Sequence, residues 1–333
     1  MMVSVDQGAH WSAASPVLPD NLYPITVAWK TPDFFAAGRE GGMFRAGAGD
    51  AAWKAVNAGF PADKDVLTVA VTPTLVLAGT NHGIYSSQNR GEDWASLNAA
   101  IPNDVYIPKI CVTGTMVFLA TNTGASYRGV PEGGGYAWIE KDLRYPKAVI
   151  SKGRFLFSAS LGNPSPGGVV TVNRSEDNGL TWTPADSGLP RGSQVRAVDL
   201  AYVGNTLFAG MQSIDPVDSS VTPIYRSEDD GASWIPYGAG IPKSLMLQSL
   251  TVCDGALFAS TGAGGVWFLP AAATAVRTDR ERSGAEERRR RIHPAPGNFR
   301  IPAEPSGPVP AGEYRATGSR LSAPSSATSP QAP

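Results

Sequence analysis

"SEDNGLTW" (residues 175–182) and "SEDDGASW" (227–234) are one phrase written twice, Ser-x-Asp-x-Gly-x-x-Trp, and "SVDQGAHW" (4–11) is a third copy. Four fixed positions match by chance on the order of once per thousand chains of this length. Three matches therefore mark a repeat. Weaker copies keep the frame. "SQNRGEDW" (87–94) has Asn89 in place of Asp, "AGAGDAAW" (46–53) keeps only its Trp, and "PEGGGYAW" (131–138) keeps Gly135 and Trp138. Tryptophans 11, 53, 94, 138, 182 and 234 are 42, 41, 44, 44 and 52 residues apart. That spacing is about one propeller blade.

The residues between the turns divide into four strand-like stretches. After a first apolar stretch comes "LVLAGT" (75–80), "VFLAT" (117–121), "TLFAGM" (206–211) or "ALFAST" (256–261). A third stretch such as "GIYS" or "PIYR" leads into the box, and "WASLNAAIP" or "WIPYGAGIP" closes the unit with the mixed character of an outer strand. Short strands, regular turns and 37 glycines point to radial repetition of four-stranded sheets.

The box itself reads as architecture. Its Gly can take a positive φ, its Ser and Asp side chains bond to backbone groups of the turn, and its indole buries a large surface between sheets. The architectural set is Ser4, Asp6, Gly8 and Trp11; Asn89, Gly91 and Trp94; Ser175, Asp177, Gly179 and Trp182; and Ser227, Asp229, Gly231 and Trp234.

These motifs resemble the Asp-box, or BNR, repeats of the sialidase-like superfamily, over residues 4 to about 270. The resemblance implies a box joining third and fourth strands at the blade periphery, away from the ligand-binding face. Relatives implied by it include sialidases, other glycoside hydrolases, sortilin-type receptors and photosystem II assembly factors. Fold alone does not choose among them.

The two ends of the repeat region are complementary. "LQSLTVCDGALFASTGAGGVWFLP" (247–270) supplies three strands and no box, whereas "SVDQGAHWSAASPVLP" (4–19) supplies a box and a closing strand. The expected fold is thus an all-β, six-bladed β-propeller closed by N- and C-terminal strands, with residues 4–19 pairing with 264–269. This domain spans residues 1–270. Residues 271–333 form an Arg-, Pro-, Ala- and Ser-rich tail expected to be disordered, since few large apolar residues are present to bury. The tail's ten arginines and six acids give it +4, which leaves −5 on the body of a chain whose total is −1. "RRRR" (288–291) has no interleaved aromatic residues, so nucleic acid is not the expected partner. No run reaches the roughly 18 apolar residues of a membrane span, and no signal peptide is visible at the start, so the cellular address stays open, with cytoplasmic as the default unless the N-terminus is truncated. A monomer is expected, with Cys111 and Cys253 as thiols.

Histidines 10, 82 and 293 are scattered, and neither they nor the cysteines have metal-ligand spacing. No cofactor and no metal are expected. An exo-alpha-sialidase-type glycoside hydrolase is the sharp enzymatic alternative. The resemblance then demands three carboxylate-binding arginines, the first in a Phe/Tyr-Arg-Ile-Pro motif opening the first blade, with a Tyr nucleophile, its Glu, and an Asp acid/base. "FRIP" does occur, at Phe299 to Pro302, but it follows every repeat. The first blade opens with "LYPITVAW" (22–29), which offers Tyr23 and Pro24 and no Arg.

A non-catalytic binding or assembly module is the preferred reading, with a protein or glycan ligand. Arg45, Arg128, Arg174 and Arg226 end third strands and should point away from the channel mouth. The opposite rim should carry Arg39, Glu40, Asn81, His82, Asn122, Arg144, Tyr145 and Arg191, on connections where loops over a rigid scaffold carry function. "SLGNPSPGG" (160–168) and "MQSIDPVDSSVT" (211–222) exceed a hairpin's needs and are candidate partner contacts.

Overall fold

A strand packed on both faces is apolar at nearly every position, and "VLAGT" (76–80) buries all five of its residues, the Thr80 hydroxyl bonding to Gly83 O. Outer strands follow the opposite rule and are short and exposed. The computed structural model describes residues 2–269 except 5, 7–9, 14–15, 20–21, 40, 48–49, 142, 144–145, 161–171, 191–194, 214–220, 238–239 and 263–264. The tail and most of both long insertions lie outside the described residues.

Twenty-five strands and no helix occur among the described residues. A hairpin pairs β1 (Met2–Val3) with β2 (Ser12–Ala13). The first sheet joins β3 (Tyr23–Lys30), β4 (Asp33–Arg39), β5 (Gly42–Gly47) and β6 (Lys54–Ala55). The second joins β7 (Val66–Val71), β8 (Val76–Thr80), β9 (Gly83–Ser87) and β10 (Ala95–Ser96). The third contains β11 (Lys109–Thr113), β12 (Met116–Ala120), β13 (Ser126–Glu132) and β14 (Gly135–Lys141). The fourth contains β15 (Pro146–Lys152), β16 (Phe155–Ser160), β17 (Val172–Ser175) and β18 (Thr183–Pro184). The fifth contains β19 (Val195–Val203), β20 (Thr206–Ser213), β21 (Ile224–Ser227) and β22 (Ile235–Pro236). The sixth has three strands, β23 (Leu247–Cys253), β24 (Ala256–Thr261) and β25 (Gly265–Leu269). Neighbours are antiparallel throughout. The protein is a six-bladed all-β propeller.

Each interface between consecutive sheets has its own apolar core. Phe35, Met43, Val69 and Trp94 fill the first, and Leu77, Ile107, Leu119 and Trp138 the second. Phe118, Val149 and Leu156 fill the third, Phe157, Leu207 and Trp234 the fourth, and Phe208, Leu250 and Trp267 the fifth.

The boxes build these interfaces by one repeated geometry. Ser Oγ accepts the Gly N–H four residues on, at 2.8 Å in Ser87 and Ser175 and 2.9 Å in Ser227, and its hydroxyl donates to the Asn or Asp side chain. Two consecutive residues are left-handed, Arg90 and Gly91, Asn178 and Gly179, Asp230 and Gly231. The turn aims the carbonyl of the first of each pair at the preceding blade, where a third-strand arginine receives it. Arg45 Nη1 donates to Arg90 O at 2.8 Å, Arg128 Nε to Asn178 O at 2.6 Å and Arg174 Nη1 to Asp230 O at 3.1 Å. These arginines thus clamp successive blades at the box side, as their expected orientation requires.

The indoles form a second series of clamps. Trp53 Nε1 donates to Pro16 O, Trp94 to Val56 O, Trp138 to Leu97 O and Trp234 to Ala185 O, all at 2.8–2.9 Å. Each acceptor follows the outer strand of the preceding unit. The close approach excludes side chains: a Cβ on Gly59, whose φ is +92°, would lie 2.0 Å from Trp94 O. Trp182 departs from the series. It is half-buried, and its Nε1 has no hydrogen-bond partner among the described residues. The blade before it has an outer hairpin that turns on Gly133 and Gly134 without a box, and its β14 continues for seven residues where the outer strands of box-bearing blades have two. Trp11, at 43% exposure, is also less buried than a box indole was expected to be.

The expected pairing of residues 4–19 with 264–269 is not formed among the described residues. β25 pairs with β24, and β2 pairs with β1. Met2–Val3 provides the box hairpin with its own third strand, so the edge of β2 meant for β25 is already taken. The N-terminal segment instead covers the outer half of the first sheet, where Leu18 and Leu22 pack on Ala36, Phe44 and Trp53. On β3 and β4, Ile25, Val27, Trp29 and Phe34 stay about half exposed.

Truncating Trp234, which is 3% exposed, is expected to cost about 3–5 kcal/mol in chemical denaturation. Trp182→Ala should cost clearly less, and equal losses would show that burial is not what sets the contribution of a box indole. The Asp177 carboxylate is held down to about 2 by the Thr181 hydroxyl, the Thr181 N–H and the Ser175 hydroxyl. Its stabilisation is therefore present above the ordinary carboxylate value and lost as pH falls from about 4 towards about 2. Asp177→Asn should flatten the dependence of Tm on pH in that window and leave its slope at neutral pH unchanged.

Candidate functional site

Two kinds of connection share one end of the propeller: the hairpins between second and third strands and the links between blades. Asn81 ties them together in the second blade. Its backbone N–H donates to Asp65 O at 3.2 Å, its Oδ1 accepts the Asp65 N–H at 2.7 Å, and its Nδ2 donates to Asp63 O at 3.1 Å. Asn122 repeats the arrangement one blade on, with Oδ1 accepting the Tyr106 N–H at 3.0 Å and its own N–H donating to Tyr106 O at 3.1 Å. Both amides hold loops, so they act on a ligand through the shape they fix. His82 sits in the same hairpin with Nε2 3.1 Å from Asp63 Oδ1, and Asn98 Nδ2 donates to His82 O at 3.1 Å. Arg39 ends β4 on the surface. Glu40, Arg144, Tyr145 and Arg191 lie outside the described residues, as does "FRIP".

The inner strands begin at this same end, and three of them carry a cation at their first or second residue. "PKICV" (108–112) on β11, "PKAVI" (146–150) on β15 and "VRAVDL" (195–200) on β19 carry Lys109, Lys147 and Arg196 in otherwise apolar sequence. None of the three has an ion pair or a hydrogen bond from its side chain among the described residues, and the Nε of Arg196 is buried without a partner. Burial pushes the Lys147 ammonium below its usual range, and the charges of Arg196 and Lys109 push it the same way.

Asp199 on β19 is the acid of this set. Its Oδ1 accepts the Leu200 N–H and its Oδ2 the Leu250 N–H of the next inner strand, both at 2.9 Å. Burial raises its carboxyl, while the charge of Lys109 and these two donors oppose the rise. Lys109 and Asp199 stand on the third and fifth inner strands, with β15 between them. Cys111, buried and unpaired, also lies within the field of Lys109 and Asp199, and burial raises its thiol. The sequence signal for this set is a basic residue inside an apolar inner strand, an expensive placement that packing alone does not reward.

Among the described residues, no three His, Cys, Asp or Glu side chains gather as a metal site. No helix is long and apolar enough to cross a membrane.

No protein-family model matches the chain, and no curated protein matches it. Solved structures do. The extracellular domain of the one component system BT4673 from B. thetaiotaomicron has a TM-score of 0.58 at 11% identity over 76% of this chain. The chain spans 32% of that protein's length. A chain of the mitotic checkpoint complex scores 0.53 at 12% identity, covering 76% of this chain and 75% of its own. YCF48, solved with D1 peptide bound, scores 0.51 at 14% identity, covering 75% of this chain and 78% of its own. At these identities the likeness establishes a shared propeller fold.

If Asn122 fixes the connection before β11, Asn122→Ala should raise hydrogen exchange at the Tyr106 amide by at least about tenfold, with the box amides of Gly91 and Gly179 unaffected. Unchanged exchange at Tyr106 would show that the connection is held by other contacts.

Proposed function

We propose that the chain is a non-catalytic binding module that takes a protein segment at the mouth of its channel. The observation that carries this reading is the coincidence, at one end of the propeller, of connections pinned by Asn81 and Asn122 with the cations Lys109, Lys147 and Arg196 near the starts of three inner strands, none of them ion-paired among the described residues. Pinned loops keep a binding surface formed before the ligand arrives, which lowers the ordering cost of association. The opposite end is occupied by the boxes, whose polar side chains are engaged in their own turns. Propellers in complexes with other chains, as YCF48 with D1 peptide and the mitotic checkpoint complex, are consistent with the reading at the level of fold. Against the glycosidase alternative stands the first blade, which has Tyr23 and Pro24 where the resemblance calls for a carboxylate-binding Arg.

The test is an amide NMR titration of the full chain with pools of acidic, neutral and basic peptides, alongside a fluorogenic sialoside assay in acidic and neutral buffers. Binding should shift the amides of Asn81, Tyr106 and Asn122 while leaving those of the boxes in place. Shifts confined to the boxes, or sialoside turnover above the buffer control, would overturn the proposal.

A further inference from the structure

We infer that the uncovered inner half of the first sheet is a docking site for a β-hairpin supplied by another protein, one that presents an aromatic side chain on its inward face. The site lies on a blade face and not on the rim loops, so it stands apart from the binding of a segment at the channel mouth.

Antiparallel register puts Val27, Trp29 and Phe34 on one face, since Trp29 pairs with Phe34 and Val27 with Ala36. Val27 thus pairs one position past Phe35, the central residue of its second strand. In the later sheets that register position belongs to Val69, Ile110, Val149, Leu200 and Leu250, whose exposures run from 3% to 7%. Each shares an apolar core with the central Phe or Leu of the sheet before it, as Val69 does with Phe35 and Leu200 with Phe157. Val27 has no such cover and is 50% exposed. Among the described residues no apolar core joins the first sheet to the sixth.

The outer half of the same face is already built. β1 and β2 hold the register of a third and a fourth strand: Val3 pairs with Ser12 as Ser86 does with Ala95, and Pro16 O takes the Trp53 indole as Val56 O takes that of Trp94. Continuous with this interface, what lacks cover is the width of two inner strands. The sixth sheet, whether of this chain or of a second copy, does not fit, because it brings its own third strand β25 to the place that β1 holds. Residues 270–333 nowhere alternate three large apolar residues, so the tail does not supply such strands. A hairpin from another chain meets both demands of the site. Its outer strand gains backbone bonds at the open edge of β1, where Val3 is 42% exposed, and its inward face buries Val27, Trp29 and Phe34. None of these side chains is charged, so the face that covers them is apolar, with an aromatic where the interior interfaces place Phe35 or Phe157.

The probe is a labelled synthetic peptide of residues 195–213, the chain's own β19–β20 hairpin with Phe208 in its second strand, titrated into the full chain. Fluorescence anisotropy should show saturable binding that weakens at least about tenfold with the Val27→Asp chain and with a Phe208→Ser peptide. Binding should persist with Ile235→Asp, which alters an exposed residue of an outer strand. Hydroxyl-radical footprinting supplies a readout that needs no variant. Trp29 in the free chain should react as readily as the exposed Trp11 and become protected once the peptide binds, while the buried Trp94 stays unreactive throughout. Absence of binding, or binding that leaves Trp29 reactive and ignores Val27→Asp, overturns the inference. So does protection of Trp29 in the dilute free chain, which would show the site filled by the chain's own residues, and protection that appears only as the chain is concentrated, which would show it filled by a second copy.

Discussion

The seating of four units in this propeller depends on a side-chain hydrogen bond that leaves its own sheet. A four-stranded sheet of short strands cannot bury two faces by itself, so each blade is stable only when the next is correctly seated. The box indoles accomplish the seating at Trp53, Trp94, Trp138 and Trp234 by donating to backbone just beyond the preceding outer strand. An indole combines a large apolar face with one directional donor, so it fixes both the spacing and the rotation of neighbouring blades. Gly59 and Gly188 follow from that demand, since a Cβ at either would enter the main chain of the incoming Trp.

A second layer of contacts sits beneath the first and is polar. The left-handed pair in the boxes at 87–94, 175–182 and 227–234 exposes a carbonyl, and a third-strand arginine of the preceding blade takes it. Side chains at the same box position add ion pairs of either polarity. Arg90 grips the buried Asp33 with two bonds of 2.6 and 2.7 Å, while Asp230 is paired with Lys152. The position is thus defined by its neighbour across the blade interface and tolerates a reversal of sign. Concentrating these fixed contacts at the box end leaves the other end free to vary, which is where the inner strands with Lys109, Lys147 and Arg196 begin.

At the seam the chain follows a different arrangement from its interior interfaces. Leu18 and Leu22 cover the outer half of the first sheet, and Pro16 O receives Trp53, so the N-terminal segment occupies the place of a preceding blade's outer edge. Ile25, Val27 and Trp29 on the inner half are exposed where equivalent strands elsewhere are packed. Complementary strand content at the two ends of the repeat region did not translate into a shared sheet, because the strand before the first box was already present in Met2–Val3.

Repeat, blade count, strand class and the architectural role of the box were legible in the sequence, because each is a local property: a turn needs Gly and Asp at fixed offsets, and strands need apolar alternation within a few residues. Asn81 and Asn122 were legible as rim residues for the same reason, although their work of pinning the blade connections required the tertiary contact with Asp65 and Tyr106. The shared placement of three inner-strand cations was not legible. Lys109, Lys147 and Arg196 are 38 and 49 residues apart, and each by itself is one basic residue in one strand. Only closing the blades around a common axis brings the strands that carry them side by side. Charge is a pairwise quantity that depends on distance in space, so the sequence alone determined which residues were costly to bury and the tertiary structure decided which of them meet.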